Sequence, residues 1–189
     1  MDGVWRINMS ASIWAPWRLE YIQSVTGEKS GCFLCDAARA TDHDRSNLVI
    51  ARTDIALLML NRYPYVNGHL LVAPYTHVAQ LADMPPEHRA TLMELAVHGQ
   101  RLLEVTMNPQ GFNIGINIGR CAGAGLPGHI HLHVVPRWNG DINFMTTVGQ
   151  VRVIPEALES AYEKLSRAHL ALLEEGANPT SAAVQGLSN

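Results

Sequence analysis

This sequence of 189 residues has a small net charge, no long apolar run and only three cysteines. Charged residues make up 16% of the chain and the formal net charge is -3, so no broad basic field is available to hold duplex nucleic acid. No stretch approaches the roughly 18 consecutive apolar residues of a membrane helix. Three cysteines, an odd number, do not fit the disulfide framework of a small secreted domain. We therefore expect a cytoplasmic protein in a reducing compartment, with no membrane or nucleic-acid partner.

The rest of the composition is that of a globular chain, with 47% hydrophobic residues and enough length to bury one core. We predict a flexible N-terminus over residues 1–12 and a single domain with a C-terminal helix over residues 13–175. Small and polar residues predict a disordered tail over residues 176–189.

Apolar periodicity predicts one long helix, from Pro85 or Pro86 to about Met107, with the prolines in the first turn where they are tolerated. A second helix is predicted over residues 155–175. Short apolar runs predict five strands, over residues 47–51, 55–60, 69–73, 111–118 and 129–135. Because short turns or one helix join these strands, we predict an α+β fold: an antiparallel sheet of about five strands, with the long helix packed on one face.

Three histidines stand at alternate positions in the last of these strands, His129, His131 and His133. Alternation places them on one face of a strand and Ile130, Leu132 and Val134 on the other. With nine histidines in the chain, a chance occurrence of this pattern has a probability of about 0.02. The pattern therefore indicates chemistry on one face of the strand.

Two kinds of chemistry fit three aligned imidazoles. They could form an open catalytic zinc site, or one could act as a nucleophile while the others hold a phosphate and a structural element. Three such residues in an extended strand span about 13 Å, too far to converge on one ion without bending, which favours the nucleophile. The glycine-rich loop over residues 119–128 directly precedes them, and its backbone N–H groups can approach a phosphate closely.

Cys32 and Cys35 form a Cys-x-x-Cys pair near the start of the predicted domain. A redox pair, a zinc knuckle and two buried thiols are all possible, and metal binding is favoured because no thioredoxin-like strand-to-helix setting surrounds the pair. A tetrahedral zinc needs two further ligands.

The segment His129-Ile130-His131-Leu132-His133-Val134-Val135 resembles the signature of the histidine triad superfamily of nucleotide hydrolases and nucleotidyltransferases. The similarity extends over roughly residues 13–165, through IWAPWRLEYI, NRYPYVNGHLLVAP, GFNIGINIGR and HVVPRWNGDINFM. These segments are similar to a bacterial branch near the fragile-histidine-triad enzymes and the diadenosine tetraphosphate phosphorylases.

The resemblance implies a role for each residue that matches the signature. His131 is the expected nucleophile, with a backbone carbonyl accepting its other ring N–H, and His133 is expected to contact the transferred phosphate or the leaving oxygen. The expected nucleotide contacts are Asn61, Asn117, Gly123, Gly125 and Gly128. His77 and His129 are implied as the ligands that complete a structural zinc site with the two cysteines. His69 is either a support for the site or a hydrogen-bonded structural histidine.

The resemblance also implies an activity and a quaternary structure. The expected reaction is cleavage of dinucleoside polyphosphates, diadenosine tetraphosphate first among them, through a nucleotidyl-histidine that phosphate or water resolves. The alternatives are a nucleoside phosphoramidase or adenylyl-sulfate hydrolase, and a slow nucleotide-binding signalling module. A homodimer through the long helix and the adjacent strand is expected, and Mg²⁺ is expected only as a companion of the nucleotide.

Overall fold

The computed structural model describes residues 31–141 and 156–177 of the chain. The predicted N-terminus over residues 1–12 and positions 178–189 of the predicted tail lie outside the described residues. None of the helices in the described ranges is long and apolar enough to span a bilayer.

In the described part of the chain, five strands form a single antiparallel sheet, in the order β1-β2-β3-β5-β4. This confirms the predicted sheet and its number of strands. The strands are β1 (Val49–Arg52), β2 (Ala56–Leu60), β3 (Leu70–Pro74), β4 (Gly111–Ile116) and β5 (Leu132–Arg137).

The described residues contain four α-helices beside the sheet: α1 (Phe33–Arg39), α2 (Asp44–Asn47), α3 (Pro86–Met107) and α4 (Leu158–Ala177). The predicted long helix is confirmed as α3, which has a proline in its first turn. Two short 3-10 turns, Leu81–Asp83 and Arg120–Ala122, lie in the connections. Helix α4 continues to Ala177, two residues into the segment predicted as a tail.

The sheet is covered on both faces over its central strands. Helices α3 and α4 pack on one face, where the buried set includes Leu58, Val72, Leu103 and Leu165. Helix α1 packs on the other, where Leu34 and Ala37 meet Val49, Leu57, Leu71 and Ala73. All five residues of β2 are therefore buried, which explains why its sequence, Ala-Leu-Leu-Met-Leu, shows no polar alternation.

Strand β5 begins at Leu132 and not at His129, so the predicted start of this strand is wrong by three residues. The backbone N–H of Ile130 donates to the carbonyl of Val78 at 2.7 Å, in the loop after β3, so residues 129–131 are tied to that loop. The predicted alternation persists nonetheless. Ile130, Leu132 and Val134 lie in the core under α3, and the three histidines lie on the opposite side.

Gly68 offers a test of how tightly the loop before β3 is packed. Its φ is +74°, and a Cβ there would lie 2.6 Å from Met107 Sδ and 2.8 Å from Leu103 Cδ2. We expect Gly68→Ala to lower the free energy of unfolding by roughly 2 kcal/mol or more, from backbone strain plus overpacking. Denaturant unfolding measures this change.

Gly123→Ala is the matched control for this substitution. Gly123 has a φ of +89°, but a Cβ would meet nothing within 4 Å, so only the backbone cost of about 1 kcal/mol is expected. Equal losses in the two variants would contradict close packing at Gly68.

Candidate active site and metal centre

The histidines lie on the face of the sheet that α1 covers, next to that helix. Strand β5 runs between β3 and β4, and His133 is opposite Leu71 on one neighbour and Gly115 on the other. A Cβ on Gly115 would meet no atom within 4 Å, so the space above β4 is open. His133 therefore borders an open area above β4, which we call the cleft.

His131 has one ring nitrogen fixed and the other free. Its Nδ1–H donates to the carbonyl of His129 at 2.9 Å, which places the ring proton on Nδ1. Within residues 31–141 and 156–177, no group forms a hydrogen bond with Nε2. Nε2 is also not one of the fully buried unpaired polar atoms, so it is accessible. Nε2 is thus an unprotonated nitrogen that can be reached from the cleft, as a nucleophile requires.

His133 belongs to a chain of hydrogen bonds that fixes its tautomer. The backbone N–H of Tyr65 donates to His69 Nδ1 at 3.1 Å, so a neutral His69 carries its proton on Nε2. That Nε2–H donates to His133 Nδ1 at 2.9 Å. His133 is left with a proton on Nε2, on the side facing Asn117, and can donate it to a phosphate oxygen.

Burial keeps these imidazoles neutral. It lowers the pKa of His69 to about 3, with the neighbouring His133 and His131 adding to the effect. Burial also lowers the pKa of His133 to about 4, and that of His131 falls for the same reason, opposed in part by the hydrogen bond to the His129 carbonyl. At neutral pH the neutral imidazoles of His131 and His133 therefore lie side by side, with ring centroids 4.9 Å apart.

The two predicted asparagine contacts each lie beside a histidine, Asn117 beside His133 and Asn61 beside His69. Asn117 Nδ2 is 3.5 Å from His133 Nε2. Asn61 is engaged within its own loop, where its Oδ1 accepts from the Tyr63 N–H at 2.9 Å and its Nδ2 lies 3.2 Å from His69 Nδ1. Asn61 therefore supports His69 directly in this structure.

The glycine-rich loop runs from a 3-10 turn to a close approach against His77. Gly123 ends the turn Arg120–Ala122 with its N–H bonded to the Arg120 carbonyl at 3.0 Å. Gly125 follows in the loop toward the histidines. Gly128 lies against His77, since a Cβ on it would be 3.3 Å from His77 Nε2.

A second cluster, Cys32, Cys35, His77 and His129, adjoins the first. One ligand atom from each residue lies within 4.8 Å of all the others. Cys32 Sγ is 3.1 Å and Cys35 Sγ 3.4 Å from His129 Nδ1, and Cys35 Sγ is 3.2 Å from His77 Nδ1. Cys32 caps α1 and Cys35 lies in its first turn, so the helix presents both sulfurs to one point.

This donor set fits zinc. Two thiolates and two imidazoles form a common closed tetrahedral site, whose ligand atoms lie about 3.3–3.8 Å apart. Burial raises the pKa of the Cys32 thiol to about 11, and a divalent cation is the group that would hold it as a thiolate. His129 Nε2–H donates to the carbonyl of Pro74 at 2.8 Å, the outer hydrogen bond expected of a metal-binding histidine.

His129 joins the two clusters. Its ring faces the cysteines while its carbonyl orients His131. Tyr65 was not identified from the sequence as part of the site. Its backbone N–H bonds to His69 Nδ1, and its ring stacks over His133 with 5.8 Å between centroids. Both contacts depend on the backbone conformation of the loop, which its residue types do not predict.

Comparison with known proteins identifies the fold and the signature. Residues 43–140, just over half of the chain, match the HIT domain. The chain belongs to the histidine triad (HIT) family. An AP-4-A phosphorylase of Mycobacterium tuberculosis is 35% identical over 169 residues, covering 87% of each chain.

Two further relatives of this HIT protein bear on the site. An asymmetrical bis(5'-nucleosyl)-tetraphosphatase of Schizosaccharomyces pombe is 33% identical over 95 residues, covering 50% of this chain and 52% of that protein. The crystal structure of a Zn-bound histidine triad family protein from Mycobacterium smegmatis superposes with a TM-score of 0.61 at 31% identity, covering 77% of this chain and 97% of that one.

Proposed function

We propose that this HIT protein is an enzyme that cleaves dinucleoside polyphosphates, with diadenosine tetraphosphate as the preferred substrate. The observation that carries the proposal is His131, with Nδ1–H bound to a backbone carbonyl and Nε2 open to the cleft. Relatives named for phosphorolysis and for asymmetrical hydrolysis of such tetraphosphates support the substrate class.

In the proposed first step, His131 Nε2 attacks the α-phosphorus of one nucleotide. A P–N bond forms, the P–O bond to the remaining polyphosphate breaks, and ATP leaves when the substrate is diadenosine tetraphosphate. His133 Nε2–H donates to the phosphate or to the leaving oxygen, where negative charge increases. Backbone N–H groups of the loop around Gly123, Gly125 and Gly128 are the proposed further donors, with Asn61 and Asn117 as nucleotide contacts.

In the second step, an acceptor displaces His131 from phosphorus. Inorganic phosphate gives ADP and water gives AMP, and both restore the free imidazole. The same intermediate serves both acceptors, so His131 and His133 do not choose between them. The relative named AP-4-A phosphorylase favours phosphate.

We propose zinc as the ion held by Cys32, Cys35, His77 and His129. Four protein ligands fill the coordination of zinc, so the ion supplies cross-linking and no open position for a substrate water. Its effect on the reaction is indirect: it fixes the ring of His129, whose carbonyl orients the nucleophile. Mg²⁺ would enter with the nucleotide, because the described residues contain no second cluster of three or more metal-binding side chains.

Product analysis tests the proposed reaction. Diadenosine tetraphosphate is incubated with the full chain in phosphate buffer and in a phosphate-free buffer, and the nucleotides are separated by ion exchange. We expect ADP and ATP in equal amounts in phosphate, and slower release of AMP and ATP without it. AMP and ATP in both buffers would make the enzyme an asymmetrical hydrolase. Faster turnover of an adenosine phosphoramidate would favour the phosphoramidase instead, and no turnover of either would favour a binding module.

We also propose that the protein is a homodimer. Among the described residues β4 is at the edge of the sheet, and α3, which packs over its neighbour β5, exposes Met93 and Val97. An open strand edge next to an apolar helix face is a surface that proteins normally cover. A second copy pairing β4 with β4 would cover both.

Val97→Glu tests the dimer, with Leu170→Glu as the matched control. Val97 is 52% exposed on α3 and Leu170 is 59% exposed on α4. Light scattering should give about twice the 20.8 kDa chain mass for the wild type and for Leu170→Glu, and the monomer mass for Val97→Glu. A wild-type monomer would contradict the proposal.

A further inference from the structure

The C-terminal segment, Glu156 and helix α4, lies outside the part of the chain that matches the HIT domain, yet Glu156 contacts a loop beside the histidines. The match ends at residue 140, and α4 begins at Leu158. Ala161 and Leu165 anchor α4 in the core beside α3. Glu156, just before the helix, accepts a hydrogen bond at 3.1 Å from Asn67 Nδ2 in the loop that leads into β3.

The carboxylate of Glu156 is a fixed and charged acceptor. Lys164 Nζ lies 2.6 Å from its Oε1, and Ser160 Oγ–H donates to the same oxygen at 2.7 Å. These bonds lower the pKa of Glu156 to about 2, with Lys164 as the main cause. Its side chain is only 15% exposed, so the carboxylate is held by α4 and presents its second oxygen to Asn67.

Asn67 belongs to the loop over residues 61–68. A hydrogen bond joins the two ends of this loop, and its last residue is closely packed. The N–H of Asn61 donates to the carbonyl of His69 at 2.9 Å. Gly68 is packed against Met107 and Leu103 of α3. The residue after Gly68 is His69, whose ring donates to His133.

Movement at Asn67 would therefore reach His133 through two residues, Gly68 and His69. Asn61 and Tyr65 of the loop are both hydrogen-bonded to His69, the residue that follows it. The bond to Glu156 ties that loop to a segment the HIT domain does not include.

We propose that Glu156 is a positioning residue, which holds the loop over residues 61–68 through Asn67 and thereby fixes the His69–His133 hydrogen bond. This inference rests on the proposed function for its effect on catalysis. Its structural part, the anchoring of the loop by the C-terminal segment, is tested without any substrate.

Three variants test the inference. Asn67→Asp places two carboxylates together, Glu156→Gln removes the charged acceptor, and the double variant restores the bond with donor and acceptor exchanged. Glu163→Gln is the matched control: it removes the ion pair between Glu163 of α4 and Arg45 of α2, and that pair does not involve the loop.

Each variant is measured by hydrogen exchange of residues 61–69, by the imidazole NMR signals of His133, and by kcat and KM for diadenosine tetraphosphate. We expect Asn67→Asp to speed exchange of the loop amides and to lower kcat by about tenfold, because hydrogen bonds to charged groups are among the stronger ones. Glu156→Gln should show a smaller effect in the same direction. The double variant should recover most of both, and Glu163→Gln should leave the loop and kcat unchanged.

Unchanged loop exchange in Asn67→Asp would overturn the inference. Equal changes of loop exchange in Asn67→Asp and Glu163→Gln would also overturn it, because both variants would then act only through the stability of α4. A double variant whose loop exchange and kcat are no closer to the wild type than those of Asn67→Asp would overturn it as well. If the wild type does not cleave the tetraphosphate, the proposed reaction fails, while loop exchange and the His133 signals still decide the role of Glu156.

Discussion

Replacing His131 with alanine is expected to lower the rate of diadenosine tetraphosphate cleavage by about 10⁴-fold or more, while nucleotide affinity stays near that of the wild type. Loss of the nucleophile removes the covalent path, and no neighbouring group can replace it in the same position. His133 cannot take over, because the hydrogen bond from His69 leaves its open nitrogen protonated.

The covalent intermediate is the direct measurement. The full chain is mixed with excess labelled diadenosine tetraphosphate and quenched in alkaline detergent, since P–N bonds hydrolyse in acid. Wild-type protein should retain label at one site, which peptide mass spectrometry should assign to position 131. His131→Ala should retain none, and its affinity for a non-hydrolysable analogue should be unchanged by calorimetry.

His98→Ala is the matched control. His98 is also partly buried and bonded to another histidine, His169, at 2.9 Å, but it lies on α3. It should label and turn over at close to the wild-type rate. Label retained by His131→Ala, or label assigned to His133, would refute the assigned role.

Replacing Cys35 with serine is expected to remove the bound metal and lower the melting temperature by roughly 10 °C or more. Cys35 contacts both His77 and His129, so its loss opens the centre of the cluster. A structural zinc site contributes several kcal/mol to folding, and 1 kcal/mol corresponds to about 2–4 °C for a domain of this size.

Elemental analysis and calorimetry measure the two effects together. The wild type should carry about one zinc per chain, and a strong chelator should reproduce the lower melting temperature of Cys35→Ser. Cys121→Ser is the control, because Cys121 is an exposed cysteine in the glycine-rich loop, away from the cluster. A wild type purified without metal, and as stable as Cys35→Ser, would refute the zinc site while leaving the role of His131 intact.

The helix α3 and the division of the histidine segment into two faces could be read from local patterns. Leu92, Leu95 and Leu103 recur with the period of a helix, and His131 alternates with Leu132 with the period of an extended chain. Such periods are set by backbone geometry within a few residues. They hold even at residues 129–131, where the ladder of β5 has not yet begun.

The hydrogen-bond partners of those histidines could not be predicted from local patterns. Cys32 and His129 are 97 positions apart, and His69 and His133 are 64 apart, so no local period connects them. The resemblance to the histidine triad superfamily implied His77 and His129 as ligands, and left His69 as either a support or a structural residue.

Residue order thus specified which side chains face the same way: the alternation of His129, His131 and His133 with apolar residues follows from the geometry of an extended chain alone. Only the folded chain decided what each histidine touches, through the packing of α1 on β1, β2 and β3 and the closure of the loop before β3. The reason is physical: side-chain direction is a local property of the backbone, whereas hydrogen-bond partners, burial and the resulting pKa values arise when distant segments exclude water together.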